Sequence, residues 1–181
     1  MKRTILAILL ATLVFGAIAC GPSERGFSGK RALSWVEAQV NLGPRPTGSE
    51  ANRKAAELIA QTLQRNGWRV ETQEFAYNGL RVRNVIGKKG QGPVIILGAH
   101  YDTRPQADRD PTDRSQPVMG ANDGGSGTAV LLELSRVLDE KATQQAEIWL
   151  VFFDAEDHGD IQGWPWSVGA SRVADSLTVR P

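Results

Sequence analysis

The spacing of apolar residues along the chain predicts four helices. They cover 31–40, 50–65, the segment "SGTAVLLELSRVLDE" that starts at Ser126, and 166–177. Ser49 is a favourable cap for the second helix and Ser126 for the third, because a side-chain oxygen at that position accepts from a free backbone N–H. The apolar residues predicted to share a helix face are Leu33, Val36 and Val40; Ala55, Leu58, Ile59 and Leu63; and Val130, Leu131, Leu134, Val137 and Leu138.

Four further segments have the composition of strands. "RVETQEFAY" and "RVRNVIGKK" alternate between polar and apolar residues, which is typical of edge or half-exposed strands. "PVIILGAH" and "AEIWLVFFD" are almost uniformly apolar, and we expect both to be buried on both faces of a sheet.

The order of these elements predicts an α/β fold. The two apolar strands and the long helix between them form a βαβ unit, in which the strands run parallel with a right-handed crossover. Open sheets of this kind bind ligands in the crevice beyond the carboxyl ends of their strands. Candidate functional residues are therefore expected where the two apolar strands end.

The stretch "IWLVFFDAEDHGD", residues 148–160, runs from an apolar strand directly into a cluster of acids. Asp154, Glu156 and Asp157 follow the strand within four positions. Clustered carboxylates repel one another and need water or a cation. Such a cluster is either a solvated acidic loop or part of a cation site.

Two other segments are expected at the same edge of the sheet. "AHYDTR" places His100 and Asp102 after the first apolar strand, and "GANDGGSG" places Asp123 just before the long helix. Imidazole and carboxylate groups are the ligands that zinc prefers. Taken alone, His100 is more simply interpreted as a surface or capping residue, and Asp123 as a turn residue. The expected meeting of three such segments at one edge of the sheet favours a metal site instead.

Spacing also constrains the roles of these side chains. Glu156 and Asp157 are neighbours and point in different directions, so one can bind the metal while the other faces the substrate as a general base. His100 and Asp102 are two apart and can share a side, so that Asp102 either holds the imidazole ring or supports the metal from outside. The loop 103–117 is expected to border the site.

Two tryptophans follow the acids in "GWPWSVG". Trp164 and Trp166 either pack in the core, which is the preferred interpretation, or form a wall of the pocket.

The N-terminus differs from the rest of the chain. Lys2 and Arg3 precede sixteen uncharged residues, and the only cysteine, Cys20, follows them. This layout is typical of an export signal, and "AIAC" resembles a bacterial lipoprotein box, so we expect a lipid on Cys20 and a cell-envelope location. A core helix, a permanent membrane span and export without lipid are the alternatives. The predicted organisation is a signal over 1–20, a tether over 21–30 and a domain over 31–181.

Composition adds limits on partners. The 181 residues suffice for one domain, and the net charge of +1 gives no reason to expect nucleic acid as a partner. A single cysteine forms no internal disulfide.

Four motifs of this chain are similar to those of the zinc aminopeptidase and glutaminyl cyclase superfamily. They are "GPRPTGSEANRKAAELI", "GAHYDTRP", "GANDGGSGTAVLLELSRVL" and "LVFFDAED", in this order. The resemblance implies a three-layer α/β fold with a mixed, mostly parallel sheet and helices on both faces.

The resemblance also implies a role for each site residue. His100, Asp123 and Asp157 match zinc ligands for one or two ions. Asp102 matches the acid that orients the histidine, and Glu156 matches the general base. The "DTRP" loop, Asp157 and the tryptophans look more like the bacterial glutaminyl cyclase branch.

The activity implied is cyclisation of N-terminal glutamine in peptides, with release of ammonia. The alternatives are a zinc aminopeptidase and a tethered binding module without turnover. The superfamily places another acid and a histidine ligand further downstream, whereas this sequence ends at Pro181 and His158 is too near the acid pair for that role. We therefore expect the chain to be the first part of a domain whose sheet is incomplete at the C-terminus, with weak or no activity.

Overall fold

The computed structural model describes residues 26–177, which form four helices and four strands. In chain order these are α1 Gly29–Val40, α2 Glu50–Arg65, β1 Arg69–Tyr77, β2 Leu80–Gly90, β3 Val94–His100, α3 Gly125–Val137, β4 Glu147–Phe153 and α4 Val168–Ser176. Every predicted helix and strand is confirmed within a few residues. The predicted signal region with Cys20, and the first part of the predicted tether, lie outside the described residues and stay predictions.

Helix ends follow local chemistry in one case and tertiary structure in another. α2 has the predicted bounds, because the Ser49 side chain accepts from the backbone N–H of Asn52 at 3.1 Å. The predicted cap of α3 is wrong. The helix starts after Gly124, which has a φ of 72°, and Ser126 lies inside the first turn with its hydroxyl donating to the Asn122 carbonyl at 2.7 Å.

Two predicted helix faces are also partly wrong. Leu33 is 57% exposed in α1, and the helix buries Ala32 and Gln39 instead. Val130 is 41% exposed in α3. The spacing of apolar residues predicts which side of a helix is apolar. Which of those residues are buried depends on the contacts between α1 and α3. One such contact is the bond that the buried Gln39 amide donates to the Gly125 carbonyl at 3.1 Å.

The sheet is open and mixed, with the strand order β1-β2-β4-β3. β1 pairs with β2 and β2 with β4 in antiparallel orientation, whereas β3 and β4 are parallel. The predicted βαβ unit with parallel strands is thereby confirmed, and the right-handedness of its crossover stays a prediction. The sheet is mixed as expected, although in the described part of the chain only the β3–β4 pairing is parallel.

β3 occupies an edge of the sheet, which corrects the prediction that it is buried on both faces. Ile95 is 49% exposed and Ile96 is 39% exposed, and β4 is the one strand that pairs with β3 within residues 26–177. An apolar sequence shows that a strand can be buried, but it does not show how many other strands will pair with it. β2, predicted to be half-exposed, is instead interior and buries four consecutive residues, Asn84–Gly87.

Helices cover both faces of the sheet, so the predicted three-layer arrangement is confirmed. α2 and α3 pack on one face in the main core, whose buried members are Ala55, Ala56, Ile59, Leu63, Trp68, Val85, Tyr101, Leu131, Leu132, Ile148, Leu150 and Phe152. On the other face, Val173 of α4 packs against Ile86 and Val151. No helix in residues 26–177 combines the length and apolar character that a membrane crossing requires.

Candidate metal centre

The parallel pairing of β3 and β4 brings the candidate residues together. His100 is paired with Phe153 at the last position of the two strands, and the Tyr101 N–H donates to the Phe153 carbonyl at 3.0 Å. The residues that follow each strand therefore leave the sheet at the same edge, as predicted. A cleft of about 810 Å³ opens there, and its walls include His100, Asp123, Glu156, Asp157, Arg104 and Trp166.

The closest contact among the candidate ligands joins His100 and Asp123. His100 Nε2 lies 2.9 Å from Asp123 Oδ1, and the Asp123 side chain is 68% exposed. On the other side of the ring, Nδ1 lies 3.5 Å from Asp102 Oδ1 and 3.7 Å from Glu156 Oε2. Burial lowers the pKa of His100, but the carboxylates of Asp102, Glu156 and Asp123 outweigh it and raise the pKa to about 9.

Asp102, which was predicted to orient the imidazole ring, contacts the backbone of the turn after β4. Its buried carboxylate accepts from the backbone N–H of Glu156 at 3.1 Å and from that of Asp157 at 3.0 Å. It thereby fixes the turn that carries the candidate base and the candidate ligand.

Glu156 faces the cleft from this turn. Its Oε1 accepts from the Ser167 hydroxyl at 3.1 Å, and its neighbour Ala155 has a φ of 54°. In this left-handed conformation, Ala155 turns the chain sharply where it leaves β4. Glu156 and Asp157 both line the cleft, and the different roles predicted for them stay predictions.

Asp157 is held by Arg104 across the cleft. Arg104 Nη1 lies 3.5 Å from Asp157 Oδ1 and donates to the Asp157 carbonyl at 3.1 Å, while its other nitrogens bond to both oxygens of Asp108. Burial, with the nearby Asp123 and Asp102, raises the pKa of Asp157 to about 6. The loop 103–117 therefore borders the site, as predicted, through Arg104 and Asp108.

The donor chemistry of this cleft fits zinc. His100 and Asp123 supply one nitrogen and one carboxylate already in contact, and Asp157 lies in the same cleft. Within residues 26–177, however, no group of three or more His, Cys, Asp or Glu side chains is arranged so that it could hold a metal ion. The described residues thus form two neighbouring donors and a third across the cleft, without closing on one point.

Asp154, which the sequence grouped with the other acids, lies away from the cleft. Its side chain is fully buried and accepts hydrogen bonds from four donors in α2, β2 and the adjoining turns. Burial first, and Asp102 second, raise its pKa to about 7 despite these donors.

The two tryptophans lie in different surroundings, one in the core and the other at the cleft. Trp164 is buried, with its ring against Tyr77 and stacked on His158 at 4.2 Å between ring centroids. Trp166 is 43% exposed and lines the cleft, with the Arg104 guanidinium 5.0 Å from its ring centre. The core interpretation thus holds for Trp164 and the pocket interpretation for Trp166.

Sequence reasoning missed several residues that support the site. Arg45, Thr47 and Asn52 are buried behind the cleft, yet their segment, "GPRPTGSEAN", has the glycines, prolines and polar residues of an exposed turn. An arginine between two prolines gives no local sign that it is buried. Nothing in the sequence around Ser167 indicates its role either, because its hydrogen-bond partner Glu156 lies eleven positions away.

Residues 84–179 match the sequence model of a protein family described as Peptidase family M28. Aminopeptidase YwaD of Bacillus subtilis is 32% identical over 108 residues, which are 57% of this chain and 20% of that protein. A crystal structure of Tannerella forsythia glutaminyl cyclase superposes with a TM-score of 0.76 at 36% identity, covering 86% of this chain and 58% of that one.

A Zn-dependent exopeptidase from Parabacteroides distasonis gives a TM-score of 0.75 at 36% identity, covering 84% of this chain and 57% of that one. The matched region spans between a fifth and a third of the length of the first curated relatives, and somewhat over half of these solved structures.

Proposed function

Because the chain belongs to peptidase family M28, we propose that it is a zinc-dependent enzyme that cyclises N-terminal glutamine of peptides, releasing ammonia. The observation that carries this proposal is the cleft in which the His100–Asp123 pair and the carboxylate of Glu156 lie side by side. The likeness to a bacterial glutaminyl cyclase supports the choice of substrate.

His100, Asp123 and Asp157 are the residues that would hold the metal, as one or two zinc ions. When bound, zinc supplies a Lewis acid that polarises the side-chain carbonyl of the substrate glutamine. Arg104 would release the Asp157 carboxylate for this purpose, because the two are joined by a single contact of 3.5 Å and Arg104 keeps its two bonds to Asp108.

Glu156 would move the proton. In cyclisation the α-amine nitrogen of the peptide forms a bond to the side-chain amide carbon, and the bond from that carbon to the amide nitrogen breaks. Glu156 accepts one proton from the attacking amine and delivers one to the departing nitrogen, which leaves as ammonia. The Ser167 hydroxyl and the Asp102 bond to the Glu156 backbone fix the carboxylate for both transfers.

A second candidate is a zinc aminopeptidase, which the similarity to Aminopeptidase YwaD favours. The same side chains would serve. Glu156 would then accept a proton from the attacking water and pass it to the new amine. Cleft residues alone do not choose between these reactions, since both need a base beside a polarised carbonyl.

The two reactions release different products, and this separates them. The purified protein, supplied with zinc, is incubated with a glutaminyl peptide and with a leucyl peptide. Ammonia from the first peptide supports cyclisation, and free leucine from the second supports the aminopeptidase. If neither product forms while zinc stays bound, both enzyme proposals fail for this chain and a binding module is left.

Glu156→Gln is expected to lower turnover by about 10²–10⁴-fold, because the amide cannot accept the proton. Zinc content, measured by elemental analysis, should not change, since Glu156 is not among the proposed ligands. Glu140→Gln, at an exposed position, is the matched control and should keep full activity. Turnover that survives in the Glu156 variant would show that another group is the base.

A further inference from the structure

Arg45 is a fully buried arginine that the proposed chemistry does not use. We propose that Arg45 is the positioning residue of the metal centre, because it sets the distance between His100 and Asp123. This inference rests on the proposed zinc function, and it adds a residue that touches neither the metal nor the substrate.

The guanidinium of Arg45 donates only to backbone carbonyl oxygens. Nε bonds to Tyr101 at 3.1 Å, and Nη2 bonds to Gly120 at 2.7 Å. Nη1 bonds to Met119 at 3.1 Å and also to two carbonyls around the end of α1, at Gln39 and Gly43. One planar group thus connects three segments that are far apart in the sequence.

Two of these segments carry the candidate ligands. Tyr101 lies directly between His100 and Asp102, so its carbonyl fixes the backbone of the first ligand. Met119 and Gly120 begin the loop that reaches Asp123 three residues later. The Arg45 backbone N–H also donates to the Thr103 hydroxyl at 2.8 Å, which ties the same arginine to the segment after β3 a second time.

The loop before Asp123 is shaped closely around this arginine. Gly120 has a φ of 60°, and a Cβ placed there would lie 2.2 Å from Thr103 Cγ2. The chain therefore turns tightly at the point where the guanidinium holds its carbonyl. No side chain could be added there without moving the loop that carries Asp123.

The geometry requires arginine in particular. Its five N–H groups lie in one plane and point in fixed directions, which suits carbonyls arriving from separate segments. A lysine ammonium carries only three N–H groups on one atom, so it cannot replace the guanidinium at all five of the carbonyls that Arg45 binds. Burial lowers the pKa of Arg45, and the nearby Asp102 carboxylate opposes that effect and helps keep the group charged.

Arg45→Lys tests the proposal, with Arg81→Lys as the control because the Arg81 side chain is 73% exposed on β2. Zinc affinity is measured by competition with a chelating dye at a temperature where both variants are folded. We expect Arg45→Lys to weaken zinc binding by up to about 10–100-fold, the effect of losing a group that hydrogen-bonds to a metal ligand directly. The control should bind like the wild type.

A second measurement uses the metal-free protein, which contains only two histidines. His100 Nε2 lies 2.9 Å from Asp123 Oδ1, so the NMR signal of a proton on this nitrogen should be protected from exchange with water in the wild type. In Arg45→Lys this signal should broaden or disappear, while the His158 signals stay. The readout does not depend on zinc, so a wild type that binds no zinc would reject the proposed function and leave this test intact.

Zinc affinity within about twofold of wild type in folded Arg45→Lys, with an unchanged His100 signal, would overturn the proposal and leave Arg45 a purely structural residue. If Arg45→Lys does not fold, Thr103→Val decides, because it removes one bond to the same residue and keeps the shape. That variant should lose zinc affinity by a few-fold and alter the His100 signal; no change in either would likewise overturn the proposal.

Discussion

Asp154 shows how a single acid can support the site without taking part in its chemistry. Its Oδ1 accepts from the Thr47 hydroxyl at 3.1 Å, the Asn52 amide at 2.9 Å and the Ala155 N–H at 2.8 Å. Its Oδ2 accepts from the Arg83 N–H at 2.9 Å. Each partner is a donor, so only a group that accepts through both ends fits between α2, β2 and the turn that carries Glu156.

Asp154→Asn is therefore expected to destabilise the fold by about 2–3 kcal/mol, although it changes one atom. The new amide would direct its own N–H groups at donors, leaving buried groups unpaired. The free energy of unfolding is measured by urea denaturation at pH 8, above the pKa of about 7, where the wild-type carboxylate is ionised. Asp175→Asn, on the exposed side of α4, is the control and should be neutral; equal stability of both variants would contradict this account.

At the scale of residues, the sequence was enough to predict the candidate ligands and the candidate base, because each lies next to the end of a predicted strand or helix. His100, Asp123, Glu156 and Asp157 all follow or precede a recognisable element, and the structure places all four around one cleft. Arg45 and Asn52 could not be found in this way, since their buried roles depend on partners more than fifty positions away. Local patterns hold no information about such contacts.

At the scale of elements, the first residues of α3 are closely packed against the end of β3, which leaves no room for a side chain at Gly124. Gly124 has a φ of 72°, and a Cβ there would lie 2.3 Å from the Asp102 carbonyl oxygen and 3.4 Å from His100 Cε1. The helix start is thus pressed against the end of β3. This contact sets Asp123, the residue before Gly124, beside the imidazole.

Gly124→Ala is expected to cost about 2–3 kcal/mol of stability, because the side chain is strained at positive φ and meets backbone that cannot move aside. Zinc affinity should also fall, since Asp123 moves away from His100. Both effects are measured by urea denaturation and by dye competition. Gly29→Ala is the control: it lies at the start of α1 with nothing within 4 Å of the added carbon, and it should lose neither property.

The elements themselves were predictable because their hydrophobic periods differ. The 3.6-residue pattern located α2 to the residue, whereas the cap of α3 could not be read from Ser126. A serine near a helix start is a common cap, but here close packing against Asp102 places the turn at Gly124, two residues earlier. Tertiary contact thus overrides a local preference at the point where the site is built.

At the scale of the whole molecule, the sheet order could not be read from the strands. β3 and β4 are both apolar, yet β4 lies in the interior of the sheet and β3 at its edge. Composition measures how well a strand tolerates burial, while the number of its neighbours depends on the rest of the fold. This is why the burial of β3 was predicted wrongly and its parallel pairing correctly.

The β3 edge leads to a prediction about assembly. Ile95 and Ile96 are exposed on opposite faces of β3, and one side of the strand pairs with no other strand in the described part of the chain. An apolar strand with free backbone N–H and C=O groups is a template for pairing with another chain. We therefore expect the apparent mass of this chain, measured by sedimentation velocity, to rise with protein concentration.

Ile95→Lys should suppress that rise, because a charged side chain on the edge must be desolvated when a second strand approaches. Leu33→Lys is the matched control: Leu33 is even more exposed, at 57%, but it lies inside α1, where its backbone groups bond along the helix. The control should associate like the wild type. Equal suppression by both substitutions would show that general surface hydrophobicity drives association, and a wild type that stays monomeric at every soluble concentration would show that the β3 edge does not pair.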